Sequence, residues 1–196
     1  MGAALAQTLT LIIKSLGGLF LLAVLLRFLL QAVRADFYNP VSQAIVKVTA
    51  PVLLPFRRLI PGYRGIDFAS LVLALVLNSV FTALLLLIAG YVPEIGIVVA
   101  WAFIGLVGLF LKIYFWSLII SIVASFIAPF SGNPVLLIVY QILEPLYSRI
   151  RRIIPPMGGL DLSPIFIFLA INVVEIMVIG TLGRGVGIDP RFVIGL

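Results

Sequence analysis

The sequence predicts an all-α membrane protein. Four transmembrane helices form two parallel, same-orientation helical-hairpin repeats, each with a short interfacial amphipathic helix in its cytoplasmic connector. Three observations predict this. First, the 196 residues are 63% apolar and only 10% charged, with mean hydropathy +1.31. An ordinary soluble domain is about 45–50% apolar and about 25% charged, and a water-soluble globule of this size leaves too much surface exposed to hide the excess. Second, four apolar segments reach membrane length. Third, the chain repeats itself.

The spanning segments lie within Leu9–Val33, Phe68–Tyr91, Ile95–Ile127 and Pro164–Thr181, against the roughly 20 apolar residues that cross a hydrocarbon core of about 30 Å. Residues 1–13 carry no charged side chain, so the basic start of a removable signal peptide is missing; this stretch is taken as part of the first span. The third segment, at 33 residues, would run about 50 Å as a helix, so one end must protrude, tilt or break.

A shift of 94 positions pairs Asn39-Pro40-Val41 with Asn133-Pro134-Val135, Pro51 with Pro145 and Arg57-Arg58 with Arg151-Arg152. It also pairs Ile60-Pro61 with Ile154-Pro155, Gly65 with Gly159, Asp67 with Asp161, Leu75 with Leu169 and Asn78 with Asn172. These are 12 ungapped identities in 40 positions. Most fall on Pro, Gly, Asn, Asp or Arg, which a shared apolar composition does not generate. The chain divides into a first repeat, 1–94, and a second repeat with a short tail, 95–196. Each copy crosses twice, so both copies have the same orientation and the pseudo-symmetry axis runs along the membrane normal.

The net charge is +6, from 13 Lys+Arg against 7 Asp+Glu. The first connector holds Arg34, Lys47, Arg57, Arg58 and Arg64, and the third holds Arg149, Arg151 and Arg152, while Val92-Pro93-Glu94 between the hairpins has no basic residue. The positive-inside rule then places both long connectors in the cytoplasm and both termini and Glu94 outside it. This asymmetry accounts for the basic composition without nucleic acid as a partner. Arg184 and Arg191 in the tail run against it.

Within the connectors, Asn39-Pro40 is a good helix start, Asn as the cap and Pro at the first position. Val41, Ala44, Ile45 and Val48 follow at helical spacing, with Ser42, Gln43 and Lys47 off the stripe and Pro51 ending the pattern. The second copy, Val135–Leu143, is more apolar. Asp161 sits near a helix N-terminus, where negative charge is favoured, and Ser163-Pro164 reads as a cap followed by a first-turn proline. The arginines have two readings. In one they anchor the connectors on lipid phosphates. In the other, Arg57 or Arg58 pairs with Asp67, and Arg151 or Arg152 with Asp161, in two equivalent folded connectors that form a docking surface for a partner or for anionic headgroups.

These motifs resemble the YggT family. Its repeat has an Asn-Pro start, an acid-Pro step, a basic pair before Ile-Pro, and a Gly-Gly-x-Asp-x-Ser-Pro run into the next helix. The second copy carries nearly all of it, from Asn133-Pro134 through Glu144-Pro145 and Arg151-Arg152 to Ser163-Pro164. The first copy departs at Ala50-Pro51, Arg64-Gly65 and Ala69-Ser70. The resemblance covers essentially the whole chain as two tandem units. It implies a protein of the bacterial inner membrane, linked to osmotic or envelope stress and to cell-division neighbourhoods, with plastid relatives linked to cytochrome assembly and nucleoid distribution. It transfers no catalytic residues.

Charges inside a bilayer are costly and draw attention by default. Arg27 lies on the same helix face as Arg34 and about 10 Å deeper; snorkelling toward the cytoplasmic surface is the simple explanation. Lys14 and Lys112 are 98 apart, one repeat plus one turn, and both could snorkel to the outer surface. Glu175 lies at a depth similar to Lys112, so a Lys112–Glu175 ion pair is one hypothesis. Asn78 and Asn172 hold equivalent mid-helix positions. Their amides could bond across the two-fold interface as helix glue, or line a polar pathway.

The chain has no cysteine and no histidine. That excludes disulfides, thiol catalysis, Cys/His zinc sites and Cys- or His-ligated haem. No Ser/His, paired-Asp or metal signature points to an enzyme, and no cofactor, metal ligand set or catalytic residue is expected. Gly183-Arg184-Gly185-Val186-Gly187 lacks the Lys-Ser/Thr ending of a phosphate loop. The favoured expectation is a non-enzymatic inner-membrane scaffold or assembly and stress-response factor, acting through its Arg/Pro/Gly connectors on a membrane-protein partner, on lipid, or as a homo-oligomer. The alternative is a small oligomeric transporter or channel component, resting on Arg27, Lys112, Glu175 and the paired asparagines.

Overall fold

The computed structural model describes residues 2–62, 65–127, 131–156 and 161–196. Four helices among them are long and apolar enough to cross a membrane: α1 (Gly2–Ala32), α3 (Phe68–Ile88), α4 (Ile95–Ile127) and α6 (Ser163–Gly183). Between the members of each pair lies a connector helix, α2 (Pro40–Leu59) or α5 (Pro134–Ile153). The connector helices are offset by the repeat distance of 94. The chain is a multi-pass membrane protein.

Two spans contain π-helical stretches, Ile13–Gly17 in α1 and Ile176–Gly183 at the end of α6. The 33-residue α4 is unbroken and packs against α1, α3, α5 and α6, which makes it the central post. The main core joins Leu21, Leu25 and Leu30 of α1 with Leu53 of α2, Leu73 of α3 and Leu106 and Ile113 of α4. A smaller core in the second half joins Leu118, Val139, Leu143, Ile167 and Ile171. Lipid-facing side chains such as Leu16, Leu19, Val80 and Leu169 stay exposed, as expected where the surrounding solvent is itself apolar.

The connector helices start as the sequence predicts. Asn39 Oδ1 accepts from Val41 N at 2.9 Å and Asn133 Oδ1 from Val135 N at 2.8 Å, each with Pro in the first turn. Their ends correct the reading. Pro51 does not end the helix: α2 continues through Pro51 and Pro55 to Leu59, and α5 continues through Pro145. A proline interrupts one backbone hydrogen bond and kinks a helix, but here packing carries the helix on: Thr49 and Leu53, on either side of Pro51, are fully buried. The buried face is also rotated from the expected stripe. Ser42 and Thr49 face the bundle, whereas Ala44 and Val48 are exposed.

A second correction concerns the start of α6. Ser163 is not the cap; it is the first helical residue, and Asp161 Oδ1 accepts from Ser163 N at 2.9 Å. Arg64 and the Gly158-Gly159 step lie outside the described residues.

The two connectors touch. Asn39 Nδ2 donates to Pro134 O at 2.8 Å, and Asp36 N donates to Gln141 Oε1 at 3.3 Å.

Candidate functional site

The first connector closes on a buried carboxylate. Asp67 caps α3: Oδ2 accepts from Ser70 Oγ at 2.7 Å and Oδ1 from Ser70 N at 3.4 Å. Arg57 sits in the last turn of α2, where the helix dipole favours a cation. Its Nη2 donates to Asp67 Oδ2 at 2.5 Å and to Gln31 Oε1 at 2.8 Å. One guanidinium thus ties α1, α2 and the start of α3 together. Asp67 is only 2% exposed. Burial pushes its carboxyl up, but the hydrogen bonds from Arg57 and Ser70 and the Arg57 charge outweigh burial and hold it below the usual carboxylate range. The carboxyl is therefore charged at neutral pH.

The second connector repeats the pair in a wetter setting. Arg151 Nε and Nη2 donate to Asp161 Oδ2 at 3.0 and 2.7 Å, and the guanidinium lies over the Tyr147 ring at 4.9 Å. Burial raises the Asp161 carboxyl, and hydrogen bonds from Ser163 and Arg151 more than offset it. Of each basic doublet, the first arginine makes the pair. Among the described residues, neither Arg58 nor Arg152 joins an ion pair. The doublets sit on a helix end, so successive residues point about 100° apart and only one can reach the acid.

The intramembrane polar residues behave less uniformly than the repeat implies. Arg27 does not snorkel. It is 6% exposed, and its Nη1 donates to Thr49 Oγ1 at 2.8 Å and Val46 O at 3.1 Å. Through Nη1 the guanidinium pins α2 against α1. Thr49 Oγ1 passes a hydrogen bond on to Ile45 O at 2.7 Å.

The asparagines do not meet across an interface. Asn78 is fully buried, and its Nδ2 donates to Ala102 O of α4 at 2.8 Å and Ile194 O of the tail at 3.5 Å. Asn172 bonds within its own helix, to Phe168 O at 2.8 Å. Lys112 and Glu175 line one cavity of about 410 Å³, but no ion pair joins them among the described residues. Lys14 Nζ donates to Pro190 O at 3.2 Å. Lys14 and Lys112 share the wall of a largely apolar cavity of about 710 Å³.

The family model for CCB3/YggT matches the chain twice, over residues 6–88 and 100–182. The chain belongs to the CCB3/YggT family. An uncharacterized protein of Pseudomonas aeruginosa is 49% identical over 187 residues, covering 94% of this chain and 95% of the relative. The protein next to proC in Vibrio alginolyticus is 38% identical over 169 residues, 85% of this chain and 90% of the relative. Escherichia coli K12 YggT is 34% identical over 169 residues, 86% of this chain and 88% of that protein. No solved structure matches.

The two CCB3/YggT matches end before the tail, and the tail is what sequence reasoning missed. Val193 and Ile194 are buried. The backbone of Ile194 and Gly195 lies against Gly105 and Gly108 of α4, so closely that a Cβ on either α4 glycine would collide with it. Gly195 itself has φ +110°, a conformation that favours glycine. Trp101 Nε1 donates to Val186 O at 3.0 Å. The available signal was a pair of glycines three apart inside an apolar helix, where each costs about 1 kcal/mol relative to alanine and needs a packing reason. Gln31, Thr49 and Ser70 were missed as well. Gln31 lies four residues after Arg27, on the same helix face, and that spacing was the clue.

Proposed function

We propose that this CCB3/YggT-family protein is a non-enzymatic scaffold of the bacterial inner membrane, acting in the envelope or osmotic stress response. In this reading the two hairpins have the same orientation. Both connectors face the cytoplasm, and both termini lie outside it. The observation that supports it is the contact between connectors, through Asn39 to Pro134 and Asp36 to Gln141, which ties the two repeat-related elbows to each other near the starts of their helices. Arg57 and Arg151 are committed to rigidifying the elbows. Arg58 and Arg152 are the residues that present charge to anionic headgroups or to the acidic face of a membrane-protein partner.

The test is in-cell crosslinking followed by purification of the intact protein. A stoichiometric partner lost in the Arg58→Glu/Arg152→Glu double variant, with unfolding temperature unchanged, is the expected result.

One observation favours a second reading, a small oligomeric transporter or channel component. Lys14 and Lys112 face one cavity, and Lys112 and Glu175 another, so three charged side chains of the spans line clefts in the bundle surface. Charge-selective flux through proteoliposomes that is abolished by Glu175→Gln would replace the scaffold with this reading.

A further inference from the structure

The two connectors are built on one plan but filled differently. In the first copy, the space between the spans and α2 holds the Arg27 guanidinium, seated on Thr49 and Val46, with Gln31 beside it. The repeat counterparts of Arg27 and Gln31 are Ser121 and Ser125. Two long side chains have become two short ones, and a cleft of about 650 Å³ stands among α4, α5 and the start of α6. Its polar wall carries Ser121, Tyr140, Glu144, Tyr147, Arg151 and Asp161.

Charge follows the same substitution. The first cluster sums Arg27, Arg57 and Asp67 to one net positive charge. The second sums Arg151, Asp161 and Glu144 to one net negative charge, because Glu144 stands where the first copy has Ala50. Two aromatic rings have also been added, Tyr140 in place of Val46 and Tyr147 in place of Leu53. The second copy therefore lacks a cation where the first supplies its own, and it offers a carboxylate and the Tyr140 ring to receive one, the Tyr147 ring already lying under Arg151. Among the described residues, Glu144 joins no ion pair.

The rest of the cleft identifies the carrier of that cation. Ile122 and Phe126 of α4 and Ile165 of α6 line it, beside the first turn of α6. An amphiphile whose apolar part lies along these residues would bring its headgroup to the polar wall. Arg151 uses Nε and Nη2 on Asp161, which leaves Nη1 to face a phosphate.

We infer that the second connector holds a specific phospholipid site for a headgroup ending in a primary ammonium, of the phosphoethanolamine class. The ammonium lies in the cleft beside Tyr140, next to the Tyr147 hydroxyl that meets Ser121 at 3.5 Å, with Glu144 as its counter-ion. This inference does not depend on the scaffold reading, since a bound lipid serves a docking surface and a channel alike.

Native mass spectrometry of the intact protein in detergent tests it, with short-chain phosphatidylethanolamine, phosphatidylcholine and phosphatidylglycerol added in turn. A single retained phosphatidylethanolamine, bound at least fivefold more than either other lipid, is expected. Ser121→Arg, which rebuilds the first copy's plug, should reduce it at least tenfold. Glu144→Gln, at an exposed position that leaves the fold intact, should bring phosphatidylethanolamine down to the phosphatidylcholine level even if the arginine variant does not fold. Equal or tighter binding of phosphatidylglycerol, or an ethanolamine preference unchanged in Glu144→Gln, overturns the site. Binding of soluble phosphoethanolamine as tight as that of the lipid overturns the lipid as its occupant.

Discussion

Replacing Asp67 with alanine destabilises the protein by about 2–3 kcal/mol, through the lost cap and the charge-assisted hydrogen bonds of a buried carboxylate, whereas the repeat-equivalent Asp161→Ala costs about 1 kcal/mol. The two residues share a sequence motif and an arginine partner, but not an environment. The arginines are similarly exposed, Arg57 at 36% and Arg151 at 43%, but the Asp67 side chain is 3% exposed and that of Asp161 31%. Removing Asp67 leaves Arg57 without its counter-charge, Ser70 Oγ without an acceptor and α3 without a cap. Removing Asp161 breaks a solvent-screened pair and one cap bond. Thermal unfolding of both variants in the same detergent measures the difference. Equal losses would mean that burial does not set the strength of these pairs.

Gly105→Ala expels the tail. The added Cβ would lie 2.6 Å from Ile194 O and collide with the Val193 side chain. Because α4 is packed on four other helices, the tail moves rather than the helix. Overpacking of this kind costs about 1–3 kcal/mol, larger than the roughly 1 kcal/mol that alanine gains over glycine in a helix. Displacement also breaks the bonds from Asn78 to Ile194 O and from Lys14 to Pro190 O. The chain has no cysteine, which gives a clean readout. Val193 is 1% exposed in the native protein. In a Val193→Cys variant the single thiol should therefore resist a thiol reagent, and it should react readily when Gly105→Ala is added. Continued protection of that thiol in the double variant would refute tight backbone packing at Gly105.

The parts of the fold legible in the sequence are those that local chemistry dictates. Apolar length gave the four spans, and Asn-Pro at positions 39 and 133 gave the starts of both connector helices. The 94-residue shift showed that each connector carries both a basic doublet and an acid, Arg57-Arg58 with Asp67 and Arg151-Arg152 with Asp161, and the structure pairs one arginine of each doublet with its acid.

The parts that were not legible depend on tertiary packing. Pro51 reads as a stop because a proline costs a helix one hydrogen bond. Nothing local reveals that Arg27, 22 residues from Thr49, reaches across to hold the turn before it. The same contact turns an expected snorkelling arginine into a buried one. Asn78 and Asn172 look equivalent in sequence, but only Asn78 has the tail against it. The tail carries no spanning signature and no repeat partner, so its docking on Gly105 and Gly108 was invisible to both arguments.

Single-cysteine labelling in sealed membrane vesicles of known sidedness tests most directly whether the connectors form one surface on one side of the bilayer. Arg58→Cys, Arg152→Cys and Glu94→Cys are each placed in the naturally cysteine-free chain and treated with a membrane-impermeant thiol reagent. Positions 58 and 152 should label only from the cytoplasmic side, and position 94 only from the opposite side. Labelling of 58 and 152 from opposite sides would contradict the parallel hairpins and the shared surface built on them.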